Sequence, residues 1–108
     1  MKVLYTKSYD NTSKNLKKHR NEQKELNEIL ELINNSTDFN ELKNNPIAIT
    51  YDFEQLKYQL NEFYSFKLNK KVIRLIIKPI NNNLLELSYI SYDHYKDFNK
   101  KKVIYYDE

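Results

Sequence analysis

The 108-residue chain contains no glycine, the residue that adopts left-handed backbone angles without a steric penalty. Walker A loops, dinucleotide-binding fingerprints and nucleophile elbows all need glycine for a tight turn or a close phosphate approach, so the sequence excludes them. Tight turns must instead use asparagine, which tolerates left-handed angles better than the other residues. Asn69-Lys70 and Asn82-Asn83 are therefore the expected hairpin turns.

The length of the chain predicts a single domain with one core of two packed layers. Hydrophobic residues make up 40% of the sequence and charged residues 31%, a balance that favours folding over disorder. Cysteine is absent, which excludes disulfides, thiol nucleophiles and thiolate metal sites and fits a reducing cytoplasm. No apolar run approaches the roughly 20 residues that cross a bilayer, and the charged N-terminus does not resemble a signal peptide. We expect a cytoplasmic protein with no membrane partner.

The net charge of +3 is unevenly distributed along the chain. Residues 67–102 carry nine basic and three acidic side chains, a local charge of +6, whereas residues 37–66 carry two basic and five acidic ones. A basic C-terminal half indicates a polyanionic partner such as a nucleic acid. A solvated, lysine-rich face explains the same charge equally well.

The N-terminal half has a helical pattern after one short strand. Alternation over residues 2–6 predicts the strand, and the N-cap residues at positions 10–13 predict the start of a helix that continues to about Asn35. A break near Arg20-Asn21 would divide it into two helices. The second part carries an apolar stripe at spacings of three and four, formed by Leu26, Ile29, Leu30 and Ile33. Residues 38–43 suit one further helical turn, which must end before Pro46, and residues 47–53 have an ambiguous pattern.

The C-terminal half has a β pattern with three candidate strands, at residues 63–68, 72–77 and 84–92. The predicted fold class is α+β, with the N-terminal strand and helices packed on an antiparallel β-meander sheet. A turn at Asn82-Asn83 would place Arg74 opposite about Ser91 and leave His94 three residues beyond, roughly 10 Å along the strand. Residues 1–98 form the predicted domain, and residues 99–108 form a tail that either adds an edge strand or is partly mobile.

Acid–base cleavage of RNA is the chemistry that the side chains support best. A general base removes the proton of the ribose 2′-hydroxyl, a general acid protonates the leaving 5′-oxygen, and cations stabilise the charge on phosphorus. Glu54, Arg74 and His94 are the candidates for these roles, and nearby tyrosines could stack on bases. The two histidines, His19 and His94, are far apart in the sequence and lack an acidic cluster at ligand spacing, so we expect no metal and no cofactor.

Four short motifs in the C-terminal half resemble one family of proteins. They have the patterns Glu-x-Leu-Lys-x-x-Leu, aromatic-aromatic-Ser, Arg-Leu-aliphatic and His-Tyr, and they lie at residues 54–60, 63–65, 74–76 and 94–95. Together with the order of the N-terminal elements, they resemble the RelE superfamily of toxins from type II toxin–antitoxin systems. The match covers roughly residues 1–95 and is closest to the YoeB branch of ribosome-dependent mRNA endoribonucleases. That branch tends to end at the His-Tyr pair, whereas this chain continues to Glu108.

The resemblance implies a role for each matching residue. Glu54 would be the general base, Arg74 would hold the phosphate, His94 would be the general acid, and Tyr95 would order the site. The RNA-binding residues would be Lys57, which matches the motif, and Lys67, which replaces a basic residue on the corresponding strand. The implied partners are mRNA on the ribosome and a cognate antitoxin protein that is acidic and partly disordered until bound. Monomer and homodimer both remain open.

Two other functions are compatible with the sequence. The same superfamily includes ParE-like toxins, which inhibit gyrase by protein contact and do not need the Glu/Arg/His/Tyr set. A small RNA-binding module without cutting activity would need only the basic stretch. The three functions predict different outcomes. The endoribonuclease would damage mRNA, the gyrase inhibitor would cause DNA breaks, and the binding module would show salt-dependent RNA binding without strand scission.

Overall fold

The protein is described by a computed structural model that covers residues 1–70 and 72–107. The strands are β1 (Lys2–Tyr5), β2 (Glu54–Gln55), β3 (Tyr64–Lys67), β4 (Arg74–Asn81) and β5 (Leu84–Ser91). The α-helices are α1 (Lys7–Ser13), α2 (Arg20–Asn35), α3 (Phe39–Lys43) and α4 (Pro46–Thr50). Short 3-10 turns lie at Lys14–Lys18, Tyr58–Leu60 and Lys100–Lys102.

The five strands form one mixed sheet in the order β1-β5-β4-β3-β2. Strands β2 to β5 pair antiparallel in sequence order, and β1 lies parallel to β5 at the edge. The predicted α+β class, with an N-terminal strand added to an antiparallel meander, is confirmed. The predicted pairing of Arg74 with Ser91 is confirmed as well, although the register shifts between Ile76 and Ile77 and shifts back between Pro79 and Asn81.

The first helix begins earlier than the sequence predicted. Thr6 is its N-cap and accepts a hydrogen bond from the Tyr9 backbone N–H at 3.0 Å, so residues 10–13 lie inside the helix instead of capping it. The Thr6 hydroxyl also donates to the carbonyl of Leu87, a contact with β5 that local sequence does not reveal. The predicted break is present at His19, one residue before the expected pair, and the stripe on α2 packs into the core as expected.

The middle of the chain forms two short helices. Asp38 caps α3 by accepting from the Glu41 N–H at 2.8 Å, and this confirms the predicted helical turn. The ambiguous segment contains α4, with Asn45 as its N-cap and Pro46 as its first residue, where the missing N–H of proline has no cost.

The two faces of the sheet have different partners, because successive side chains of a strand point to opposite sides. One face packs on the helices through Phe66, Leu75, Ile77, Leu85 and Ile90. The opposite face, called the outer face below, carries Ser65, Lys67, Arg74, Ile76, Tyr89 and Ser91. The centre of the outer face is covered by a smaller hydrophobic cluster, in which Leu56, Phe63 and Phe98 pack on Ile76. Arg74 lies at the end of this face, beside the loop that follows β5.

The C-terminal segment does not form the edge strand that was one of its two predicted states. After the 3-10 turn, Ile104 exchanges hydrogen bonds with Ser8 of α1, through its carbonyl at 3.1 Å and its N–H at 2.7 Å. The Tyr105 hydroxyl donates to Glu86 at 2.7 Å. The edge of β5 is already occupied by β1 and α1, so the segment packs across α1 instead of pairing with the sheet. No helix in the described part of the chain is long and apolar enough to cross a membrane.

Candidate functional site: a buried arginine beside an exposed histidine

Arg74, the first residue of β4, is only 4% exposed although it is cationic. Its NH2 nitrogen lies 2.6 Å from Nδ1 of His94, and its guanidinium carbon lies 5.8 Å from the centre of the Tyr95 ring. Within residues 1–70 and 72–107, Nε and NH1 of Arg74 have no hydrogen-bond partner, and the ion pairs found there do not include Arg74. The site therefore contains a buried positive charge with two unused donors.

The contact between Arg74 and His94 indicates which ring nitrogen of the imidazole accepts a hydrogen bond. A guanidinium group can only donate hydrogen bonds, so Nδ1 of His94 must be the acceptor. A neutral imidazole that accepts at Nδ1 carries its proton on Nε2. His94 itself is exposed, which makes its ring accessible to a ligand at the mouth of the site.

The loop after β5 holds His94 and Tyr95 through Ser91. The Ser91 hydroxyl accepts a hydrogen bond from the Tyr95 N–H at 2.7 Å and donates to the carboxylate of Asp97. The other Asp97 oxygen accepts from the Tyr92 N–H at 3.0 Å, and the His94 N–H donates to the Val72 carbonyl at 3.3 Å. Sequence analysis did not identify Ser91 or Asp97 as site residues. A Ser near a strand end with an Asp shortly after it is a usable signal for such a side-chain-capped turn.

Two consecutive bulky residues of this loop have left-handed backbone angles. The φ angle is 52° at His94 and 59° at Tyr95, a region that costs a non-glycine residue roughly 1–2 kcal/mol. The contacts of Ser91 and Val72 hold them there. Strain of this kind tends to occur at functional sites, where the surrounding structure maintains a conformation that the local chain disfavours.

The expectation that asparagine would supply the left-handed turns was mostly wrong. Among the described residues, six have positive φ, and only Asn69 of these is an asparagine. The others are Asp52, Tyr58, Lys70, His94 and Tyr95. The turn at Asn82-Asn83 does form, although neither residue has a positive φ.

Glu54 lies on the same face of the sheet as Arg74 but does not contact it. Glu54 pairs with Ser65, and Ser65 pairs with Ile76 two residues from Arg74. Two strand spacings and two residues along the strand separate the Cα atoms of Glu54 and Arg74 by roughly 12 Å. The Glu54 side chain is exposed, and no hydrogen bond or ion pair joins it to the described residues.

The two predicted RNA-binding lysines lie in different places. Lys67 is directly opposite Arg74 on β3, and its ammonium group lies 3.8 Å from the carboxylate of Asp52. Lys57 is exposed and follows β2, with no contact that joins it to Arg74. Ser65, which the sequence motif contained without a role, has a fully buried hydroxyl with no hydrogen-bond partner in the described residues.

The structure thus joins Arg74, His94 and Tyr95 into one cluster, with Lys67 beside it and Glu54 further along the outer face. No group of three His, Asp or Glu residues that could hold a metal ion lies within the described ranges. Comparisons with models of protein families, with curated proteins and with solved structures found no match. The chemistry of the site must therefore be inferred from its own geometry and from the motifs in the sequence.

Proposed function

We propose that this chain is an endoribonuclease that cuts mRNA on the ribosome, as RelE-like toxins do. The observation that carries the proposal is the buried Arg74 guanidinium, which lies against His94 and has two donor nitrogens without a partner among the described residues. A buried cation without a counter-charge is costly. A phosphodiester would supply that counter-charge, and its two non-bridging oxygens match the planar fork of an arginine.

Binding of the phosphate changes what His94 can do. In the free protein, Nδ1 of His94 accepts a hydrogen bond from Arg74. A general acid at this position must carry a proton on both ring nitrogens, so Arg74 must turn from Nδ1 to the phosphate. The ring then gives a proton to the leaving 5′-oxygen as general acid.

Glu54 completes the reaction from the other side of the scissile bond. In this role its carboxylate removes the proton of the ribose 2′-hydroxyl, the O2′–P bond forms, and the P–O5′ bond breaks. The products are a 2′,3′-cyclic phosphate and a 5′-hydroxyl. The separation of roughly 12 Å between the Cα atoms of Glu54 and Arg74 leaves room for one ribose-phosphate unit between the two side chains. The reaction needs no cofactor.

The partners in this proposal follow from charge and from the motif resemblance. Lys57 and Lys67 would contact the RNA backbone, and the basic stretch 67–102 would favour mRNA and the ribosome. A cognate antitoxin with an acidic segment would bind the same basic surface and cover Arg74. These events would take place in the cytoplasm.

Primer extension on mRNA bound to programmed ribosomes tests the proposal. Wild-type protein should produce a new stop at the ribosomal A site, and His94→Gln should lose it. His19→Gln is the matched control, because His19 is exposed and lies outside the Arg74 cluster. A folded wild-type protein that produces no stop would refute the nuclease, and DNA breaks on expression would then indicate a gyrase-directed toxin.

A further inference from the structure

A cavity opens between α1 and the C-terminal segment. Its volume is about 290 Å³, and α1 contributes Asn11 to its wall, β5 contributes Tyr89, and the C-terminal segment contributes Asp97, Asn99 and Lys102. Binding sites for drug-sized ligands are about 300–1,000 Å³, so this cavity suits one small flat group. Five of its nine lining residues lie beyond His94-Tyr95 in the chain.

Three side chains in the cavity have unused hydrogen-bonding groups. The Asn99 side-chain oxygen accepts from the Lys101 N–H at 3.0 Å, which leaves its NH₂ group to donate. The Asn11 amide and the Tyr89 hydroxyl have no hydrogen bond within the described residues. An asparagine amide presents a donor beside an acceptor, as the edge of a nucleobase does, and Lys102 adds a positive charge at the rim.

The ring of Tyr89 gives the cavity an aromatic wall. Phe98 packs against it with a centroid separation of 5.3 Å, which holds the ring in position. RNA-binding proteins recognise unpaired bases by stacking them on aromatic rings and by hydrogen bonds to their edges. The cavity therefore offers both kinds of contact that an unpaired base needs.

The cavity and the Arg74 cluster share one structural support. Asp97 lines the cavity and accepts a hydrogen bond from the Ser91 hydroxyl, whose oxygen also accepts one from the Tyr95 N–H. Ser91 lies directly opposite Arg74, and Tyr89 lies two residues from Ser91 on the same strand. The Cα atom of Tyr89 is therefore roughly 8 Å from that of Arg74, and the Cα atom of Ser91 is closer. A base in the cavity would belong to the nucleotide whose phosphate Arg74 holds, or to its neighbour.

We propose that this cavity binds one unpaired base of the RNA, next to the phosphate held by Arg74. The inference deepens the proposed function and rests on it for the adjoining phosphate. The C-terminal segment beyond His94-Tyr95 then supplies a specificity pocket, through Asn99 and Lys102, in addition to its packing contacts.

An NMR titration of the ¹⁵N-labelled full chain separates the two proposals. Inorganic phosphate should shift the signals of Arg74 and His94 alone, and adenosine 3′-monophosphate should also shift the side-chain amides of Asn11 and Asn99. If the nucleotide shifts Arg74 and His94 but not the two amides, the base pocket is refuted and the phosphate site stands. If neither ligand shifts Arg74 or His94 while the nucleotide shifts the amides, the pocket stands and the proposed nuclease loses its support.

The variant Asn11→Leu tests the pocket without disturbing the core, because Asn11 is exposed on α1. Loss of the proposed hydrogen bonds from the Asn11 amide to the base should weaken the binding of adenosine 3′-monophosphate roughly threefold to tenfold and leave the binding of inorganic phosphate unchanged. Asn15→Leu, at another exposed asparagine outside the cavity, should bind both ligands like wild type. Equal nucleotide affinity in the two variants would overturn the assignment.

Discussion

Nδ1 of His94 lies 2.6 Å from the NH2 nitrogen of Arg74, although twenty residues separate them in the chain. Two features produce this contact. The antiparallel register places Arg74 opposite Ser91, and the loop bound to Ser91 turns back through left-handed angles at His94. The guanidinium of Arg74, which is buried and always charged, thus faces the exposed imidazole of His94.

Arg74→Met should separate stability from function. The substitution removes a buried charge with two donor nitrogens that lack a partner among the described residues. Even buried ion pairs can often be replaced by well-packed apolar residues without a loss of stability, or with a gain of about 1–4 kcal/mol. Urea denaturation should therefore give a free energy of unfolding at or above that of wild type, while cutting of ribosome-bound mRNA is lost. A destabilisation of several kcal/mol would mean that Arg74 is part of the scaffold.

His94→Asn should keep the fold and remove the acid. Asparagine tolerates the left-handed angle better than histidine, and its side-chain oxygen can still accept from Arg74. The rate of cleavage should fall by roughly 10²–10⁴, the usual contribution of a general acid, in single-turnover measurements. His19→Asn is the control, and a wild-type rate for His94→Asn would remove His94 from the mechanism.

Glu54→Gln should lower the rate without changing stability. Glu54 is exposed, and surface substitutions usually change the free energy of unfolding by less than about 0.5 kcal/mol. The loss of a general base should reduce cleavage by roughly 10²–10⁴, measured on the same ribosome-bound substrate. Glu41→Gln, on the exposed side of α3, should retain activity, and undiminished cutting by Glu54→Gln would assign the base elsewhere.

Ser91→Ala should weaken both the fold and the site. The buried hydroxyl accepts from the Tyr95 N–H and donates to Asp97, and leaving such partners unsatisfied costs about 1–3 kcal/mol. Cleavage per folded molecule should fall as well, because the loop that presents His94 loosens.

Ser36→Ala supplies the comparison for this variant. Its buried hydroxyl donates to Leu32 at the end of α2, away from Arg74. It should lower stability, as measured by urea denaturation, but leave cleavage per folded molecule unchanged. A similar loss of activity in both variants would show that stability alone limits cutting.

The raised pKa of Tyr92 predicts that the folded protein loses stability at alkaline pH. Burial, aided by the charge of Asp97, raises the pKa of Tyr92 from 10.0 to about 12. A pKa that is higher in the folded state stabilises the fold below pH 10, and this contribution is lost as the pH rises from about 10 to about 12. Urea denaturation at pH 8, 10 and 11.5 should show the decline in wild type.

Tyr92→Phe should show a smaller decline over the same pH range. The variant also loses the hydrogen bond from the Tyr92 hydroxyl to the Thr12 carbonyl, and the measurement at pH 8 gives that constant offset. An equal slope in both proteins would mean that other groups cause the alkaline loss.

Much of the fold followed from local pattern. Alternation predicted β1 and β3, an apolar run predicted β4, and the stripe of α2 predicted its buried face. The Asn82-Asn83 turn predicted the pairing of Arg74 with Ser91, which holds because two register shifts between the turn and Arg74 cancel. These features are readable because hydrophobic period and turn chemistry act over a few residues. The start of α1 was misplaced, because Thr6 is selected as N-cap by its contact with β5 as well as by its own preference.

Only part of the candidate site could be predicted from the sequence. The sequence by itself identified Arg74, His94 and Tyr95 as chemically suitable, and it determined that any left-handed turn would have to be made without glycine. Only the tertiary structure decided that Arg74 is buried with donors unpaired in the described ranges, that His94 and Tyr95 take the left-handed angles, and that the C-terminal segment closes a cavity instead of extending the sheet. Local sequence sets what a segment prefers, whereas the partner that a buried polar group finds depends on residues distant in the chain, and the free energy of the whole fold selects it.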